Sequence, residues 1–214
     1  LILQNQTEEE FADSRFQVLS ELTRLRQLCC DPALVYENYE GGSAKLDLCI
    51  ELIQSAVESG HKILLFSQFT SMIEILTARL QEESISYFVL QGSTKKEQRA
   101  QMVEQFNRDD TSVFCISLKA GGTGLNLTGA DIVIHYDPWW NVAVENQATD
   151  RAHRIGQKNV VTVYKLIAKG TIEEKIIKLQ QRKKELAEEI LSGDEIKTAS
   201  FQREELLELL EERF

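Results

Sequence analysis

Five short apolar runs of strand length constrain the fold most: "KILLF" (62–66), "SYFVL" (86–90), "SVFCI" (112–116), "DIVIHY" (131–136) and "VTVYKLI" (161–167). Segments with helical spacing separate them, from Ser71 to Glu82, Lys95 to Phe106 and Asn141 to His153. Apolar runs too short for helices, alternating with amphipathic helices, indicate βαβ units with strands buried on both faces. The pattern predicts an α/β chain built on a doubly wound parallel sheet. Helical additions are expected at both ends. Residues 8–30 place Phe11, Phe16, Leu19, Leu22, Leu25 and Leu28 at helical spacing up to the breaker Pro32, and Leu46 to Val57 reads as a further helix closed by Gly60. From Thr171 a long charged helix is expected, then a break at Gly193 and a final helix from Phe201 with Leu206, Leu207, Leu209 and Leu210 as its packing face. The expected division is a helical prelude and linker over 1–44, a sheet-bearing lobe over 45–169 and C-terminal helices over 170–214.

With 214 residues and 43% hydrophobic content the chain can fill a sizeable core. It opens on "LILQNQTEEE" and its only methionines are Met72 and Met102, so it reads as a piece of a longer polypeptide. No apolar run approaches the roughly 18 residues of a membrane span, and the start lacks the flanks of a signal peptide. The expectation is a soluble intracellular protein of the cytoplasm, nucleoid or nucleus, with no membrane partner. Cys29, Cys30, Cys49 and Cys115 lack metal-ligand spacing and read as reduced, buried thiols, with no metal site. The net charge of -10 argues against a surface uniformly attractive to nucleic acid. Acidic residues gather at the two ends, however, whereas Lys95, Lys96, Arg99, Lys119, Arg151, Arg154 and Lys158 fall in the middle, where a local basic track has room to form.

Two stretches carry the candidate chemistry. "SLKAGGTGLN" (117–126) follows the third strand, on the side of a parallel sheet where ligands collect, and its glycines let backbone N–H groups approach a phosphate. In "ENQATDRAHRIGQKN" (145–159), Gln147, Arg151 and Arg154 fall at i, i+4 and i+7, so on a helix they share one face and reach an anion together. The alternative is that Asp150 and Arg154, four apart, form a solvated surface pair. The chain contains neither a GxxxxGK[ST] loop nor an acidic pair at a strand end for magnesium. Phosphate contacts without the main parts of a nucleotide site point to arginines donated to a nucleotide bound on another domain.

Four stretches, "FSQFTSMIEIL" (66–76), "LQGSTKKEQR" (90–99), "SLKAGGTGLNLTGADIVIHYDPWWN" (117–141) and "QATDRAHRIGQ" (147–157), together resemble the second RecA-like lobe of SWI/SNF-type ATPases, within superfamily two of helicases and translocases. The prelude "LTRLRQLCCDP" is similar to the helical segment that introduces this lobe, with Asp31 where the family often has His. The resemblance implies a RecA-like fold. It further implies that Arg151 and Arg154 approach the γ-phosphate of ATP as catalytic groups and that Gln147 joins them, unless its amide instead braces a neighbouring loop. The glycine loop matches the motif that touches the DNA backbone and couples it to the nucleotide: Lys119 and Thr123 as DNA contacts, Gly121, Gly122 and Gly124 as coupling positions. Ser67 and Gln68 match a further DNA-facing motif, and Gly92 and Ser93 begin the next such loop, with simple turn chemistry as their alternative. Trp140 aligns with a tryptophan that reaches toward the minor groove, while Trp139 reads as core or partly covered surface. Val142 stands where the family usually has Pro. The long helix from Thr171 resembles the brace that crosses both lobes, or else packs on its own lobe.

The function implied is the C-terminal ATPase lobe of an ATP-dependent double-stranded DNA translocase that displaces DNA-bound proteins. ATP and Mg are expected mainly on a first RecA-like lobe of the same polypeptide, leaving this piece inactive alone. Two alternatives stand beside it: a related superfamily-two motor acting on RNA or transcription complexes, and a non-catalytic interaction module that keeps the lobe's shape.

Overall fold

The computed structural model describes residues 8–118, 120, 124–154, 157 and 159–190. In chain order the elements are α1 (Glu8–Cys30), a short 3-10 turn (Pro32–Leu34), α2 (Ala44–Glu58), β1 (Ile63–Ser67), α3 (Thr70–Glu82), β2 (Tyr87–Leu90), α4 (Lys96–Arg108), β3 (Val113–Ser117), β4 (Ile132–His135), α5 (Val142–Thr149), β5 (Thr162–Lys165) and α6 (Ile172–Ile190). The five strands form one sheet in the order β2-β3-β1-β4-β5, with every pairing parallel. This is the parallel α/β sheet that the strand-length runs predict, in the RecA-like form that the resemblance implies. Every carboxyl end therefore opens on the same edge, and the loops that follow Ser67, Leu90, Ser117 and His135 are brought together there.

Alternation along the strands builds two cores. Ile63, Leu65, Val113, Cys115, Ile132 and Ile134 face α2 and α3, packing on Ile50, Ile53, Met72, Ile73 and Leu76. Leu64, Phe66, Phe114, Ile116 and Val133 face the other way, toward Phe106 and Ala148 on α4 and α5. Burying both faces explains why β1, β3 and β4 read as continuous apolar runs. β5 departs from the pattern: its four residues are exposed, because it forms one edge of the sheet among the described residues. Cys30, Cys49 and Cys115 are buried and Cys29 half-buried, all as free thiols.

Helix ends carry recognisable signals. The Ser43 hydroxyl accepts from Leu46 N–H at the start of α2, and the Asn141 side chain accepts from Ala143 N–H at 2.9 Å at the start of α5. α5 thus begins at Val142 although proline's fixed φ is missing there. Asp31 caps the 3-10 turn by accepting from Ala33 N–H at 2.8 Å. α1 and the first half of α6 form a third packing layer in which Leu22, Ile172 and Ile176 meet, flanked by Val18, Leu19, Leu179 and Trp140. The described part of α6 thus packs on its own lobe. Beneath this layer Lys45 Nζ lies 2.5 Å from Glu173 Oε2, both side chains buried, tying the start of α2 to the start of α6. The expected final helix with Leu206, Leu207, Leu209 and Leu210 lies outside the described residues.

Candidate nucleotide and nucleic-acid interface

At the carboxyl edge, the loop after β1 is organised by a buried carboxylate. Ser67 Oγ donates to Asp137 Oδ1 at 2.6 Å, and Gln68 N–H donates to both Asp137 oxygens at 3.3 and 3.4 Å. Ser67 is fully buried. That corrects its expected role as a DNA contact: the hydroxyl is committed inward, because β1 is the central strand and its last side chain faces the loop after β4. Gln68 is half-buried with a backbone fixed by Asp137, and its Nε2 has no hydrogen-bond partner among the described residues.

The loop after β2 keeps Gly92 and Ser93 exposed. Gln91 N–H donates to Thr94 Oγ1 and Thr94 N–H to Gln91 O, each at 3.1 Å, closing a tight turn. Arg99, one turn into α4, fastens that turn by donating to the carbonyls of Thr94, Gln91 and Gly92 at 2.8, 3.2 and 3.0 Å. Its guanidinium is therefore spent in part on loop shape.

Of the loop after β3, Lys119, Gly121, Gly122 and Thr123 lie outside the described residues. Gly124 is exposed. Further on, Gly129 N–H donates to Asn107 Oδ1 at 2.9 Å, and a Cβ on Gly129 would come within 3.0 Å of Asn107 Cα. Glycine is required there so that this loop can lie against the end of α4.

The loop after β4 holds both tryptophans, each half-buried. Trp139 packs on the core beneath α4 and α5, and its N–H donates to Glu145 Oε2 at 3.2 Å. Trp140 turns toward α1, where the Arg26 guanidinium sits 4.6 Å from its ring centroid. Glu145 is buried and pairs with Lys165 of β5, so α5 is anchored to its neighbouring strand by charge. Gln147, on the same helix, is exposed.

The arginine segment differs from its expected form. α5 ends at Thr149, and beyond Asp150 the backbone proceeds in turns: Arg151 N–H reaches Ala148 O at 3.2 Å and Ala152 N–H reaches Thr149 O at 3.1 Å. Gln147, Arg151 and Arg154 therefore do not share one continuous helix face. Tertiary hydrogen bonds hold the segment instead. Leu127 N–H takes Arg151 O at 3.0 Å, and Gln157 Nε2 approaches Ala152 O at 3.3 Å as well as Thr128 O at 3.2 Å and Ala130 O at 2.6 Å. These bonds bind the arginine segment to the far end of the glycine loop. Arg151 is buried and its Nε has no hydrogen-bond partner among the described residues. Burial holds its pKa below the ordinary arginine value, and neighbouring Arg154 pushes the same way, against Asp150. Arg154 is exposed and donates to Gly124 O at 3.2 Å. Asp150 and Arg154 form no ion pair among the described residues.

Residues 44–156 match the family described as "Helicase conserved C-terminal domain". The C-terminal domain of a SWI2/SNF2 ATPase from Sulfolobus solfataricus is 32% identical and superposes with a TM-score of 0.72, covering 96% of this chain and 84% of that one. The chain belongs to the helicase C-terminal family, in its SWI2/SNF2 branch. The core of the Sulfolobus ATPase, solved in complex with double-stranded DNA, is 34% identical with a TM-score of 0.75, covering 98% of this chain and 44% of that one. An "Uncharacterized ATP-dependent helicase" of Mycoplasma pneumoniae is 45% identical over 202 residues, which are 92% of this chain and 19% of the relative. The chain spans about a fifth of the length of the curated relatives it matches first.

Seen as a SWI2/SNF2 C-terminal lobe, the structure adds polar residues that tie these loops together and that the motifs leave unassigned: Arg26, Asp137, Glu145 and Gln157. Arg26 had a signal in the sequence, a charge four residues after Leu22 on the helix face that becomes buried. Asp137 and Glu145 are ordinary acids until the fold buries them. Among the described residues no helix is long and apolar enough to cross a membrane.

Proposed function

We propose that this lobe supplies the arginine half of a composite ATPase that moves along double-stranded DNA and displaces proteins bound to it. One observation carries the reading: Gln157, Arg154 and the Arg151 carbonyl all bind the loop over 124–130, so the residues suited to phosphate and the loop suited to DNA form one mechanical unit. Arg154 presents an exposed guanidinium, and Arg151 keeps an unpartnered Nε, a donor set that fits the oxygens of a terminal phosphate. ATP and Mg belong mainly to the first RecA-like lobe of the longer polypeptide, where the nucleotide supplies the phosphoryl group for hydrolysis. Gln147 lies exposed on α5, four residues before Arg151, and is assigned to act with it. Gln68, Gly92, Ser93 and Trp140 contact the DNA backbone, Lys119 and Thr123 are assigned the same role, and Ser67 supports Gln68 through their shared partner Asp137. The related core solved with double-stranded DNA supports duplex as the track.

Arginine fingers act where charge shifts during phosphoryl transfer, so the test separates turnover from binding. In the complete two-lobed protein, Arg151→Ala and Arg154→Ala should each lower kcat by about 10³-fold while leaving DNA affinity within a few-fold. Lysine at either position should rescue poorly, because a point charge lacks the planar fork. DNA-stimulated hydrolysis that survives both substitutions would end the finger assignment, whereas a complete protein with no ATPase activity at all would leave an interaction module.

A further inference from the structure

Arg26 comes from α1, outside the motifs, yet it lies at the centre of the two loops that follow β1 and β4. It is 2% exposed. One terminal nitrogen donates to the Pro138 carbonyl and lies 3.7 Å from Asp137 Oδ2. The guanidinium carbon sits 4.6 Å from the Trp140 ring centroid and 5.6 Å from that of Phe69, both within cation–π range. Asp137 in turn receives Ser67 Oγ and Gln68 N–H from the loop after β1. A single side chain therefore touches Phe69 on one loop and Pro138, Asp137 and Trp140 on the other.

Stability alone does not account for a charge here. Desolvation opposes both partners: it lowers the pKa of Arg26 and raises that of Asp137, and their mutual attraction returns only part of the cost. A packed apolar side chain of similar size often matches or exceeds a buried ion pair in stability. What the charge supplies is register: one terminal nitrogen, bonded to the Pro138 carbonyl and facing Asp137, is held with the guanidinium plane against the Trp140 and Phe69 rings.

We propose that Arg26 is a positioning residue which sets the relative placement of the Gln68 and Trp140 loops and thereby governs how well duplex DNA stimulates the ATPase. The proposal rests on the functional reading above. Arg26 touches neither nucleotide nor DNA: it acts through the loops.

The experiment uses the complete two-lobed protein and measures basal turnover, maximal DNA-stimulated turnover and the DNA concentration giving half-maximal stimulation. Arg26→Met should raise that concentration about tenfold or more, with basal turnover and KM for ATP within twofold of wild type. Arg26→Lys, which keeps charge but not the fork, should recover less than half of the loss on a logarithmic scale. Because Arg26→Met leaves Asp137 buried and unpaired, Arg26→Met with Asp137→Asn is measured alongside. It removes the unpaired charge together with the tie and should show the same split, with native tryptophan fluorescence confirming the fold. Basal and stimulated turnover falling in parallel in the double variant, or an unchanged DNA requirement in either variant, overturns the proposal. A wild-type protein with ATPase activity that duplex DNA does not stimulate would instead overturn the functional reading itself.

Discussion

Replacing Gln157 by alanine tests whether the arginine segment is held by its amide. Its Nε2 has two hydrogens and three carbonyls within reach, Ala130 O at 2.6 Å, Thr128 O at 3.2 Å and Ala152 O at 3.3 Å. Their losses are unequal. Ala152 O keeps Arg154 N–H at 3.2 Å, and Thr128 is only half-buried, so water can replace the amide there. Ala130 is fully buried, and its carbonyl loses its closest donor. An unsatisfied buried acceptor costs about 1–3 kcal/mol, so the expected destabilisation is about 2 kcal/mol, read as a lower urea midpoint of the chain at pH 7. Gln157→Glu sharpens the test, since it keeps the length but turns the donor into a carboxylate facing three carbonyls. Glutamate should therefore be worse than alanine. In the complete protein both variants should lower stimulated turnover, because the segment bearing Arg151 and Arg154 loses its tie to residues 128–130. A glutamate variant as stable as wild type, or an alanine variant within 0.5 kcal/mol, would refute the clamp.

Two further outcomes follow from buried charge. Lys45→Met removes the partner of Glu173, whose remaining bond is from Ala168 N–H at 2.7 Å, and should cost about 3–5 kcal/mol in urea unfolding, part of which Glu173→Gln should restore. The second concerns pH, where two groups two residues apart act in opposite senses. Burial pushes the Asp137 carboxyl up from 3.8 to about 6, with Arg26, Ser67, Lys45 and Gln68 pulling it back, so the folded chain holds that proton more tightly and the stabilisation is lost as pH rises through the window. Burial pushes His135 down from 6.5 to about 4, with Glu145 opposing and Lys165 assisting, so its stabilisation is lost as pH falls. Between pH 7 and pH 5, wild type should gain roughly 1 kcal/mol on Asp137→Asn and lose roughly 2 kcal/mol on His135→Gln, measured by unfolding at both pH values. Shifts of the same sign in both variants would refute the assignment.

Each of the five runs contains a strand; for β1, β3 and β4 it was legible because burial on both faces leaves an unbroken apolar run, and for β2 and β5 because β-branched and aromatic residues mark a strand even when it is partly exposed. Their limits shift by a residue for a reason that hydrophobicity does not encode. Lys62, read as the first residue of a strand, instead sends its ammonium to the carbonyls of Phe106 and Asp109 at the end of α4. The order of the strands was not legible either. "VTVYKLI" looks as apolar as the rest, yet β5 lies at the edge with Val163 and Tyr164 each 39% exposed. A run records propensity and apolarity, whereas edge or centre is decided by how the crossovers wind.

The site divides along a similar line. A motif states which side chains are present, and the structure leaves Gly92, Ser93, Gln147 and Arg154 on accessible surface. The motif is silent about backbone partners, and here those partners decide the geometry. Helical periodicity continues through Arg154, but α5 stops at Thr149: Arg151 and Ala152 N–H turn to carbonyls three residues back, and Leu127 N–H and the Gln157 amide bind the carbonyls of Arg151 and Ala152. The helix yields to tertiary bonds from a loop some 20 residues earlier. That exchange has a functional consequence. Had the helix continued, Arg151 and Arg154 would have moved with α5. Ending it ties them to residues 124–130 instead, through the Gln157 amide, the Arg151 carbonyl and the Arg154 guanidinium, and on the proposed reading a shift of that loop would move the arginine pair with it.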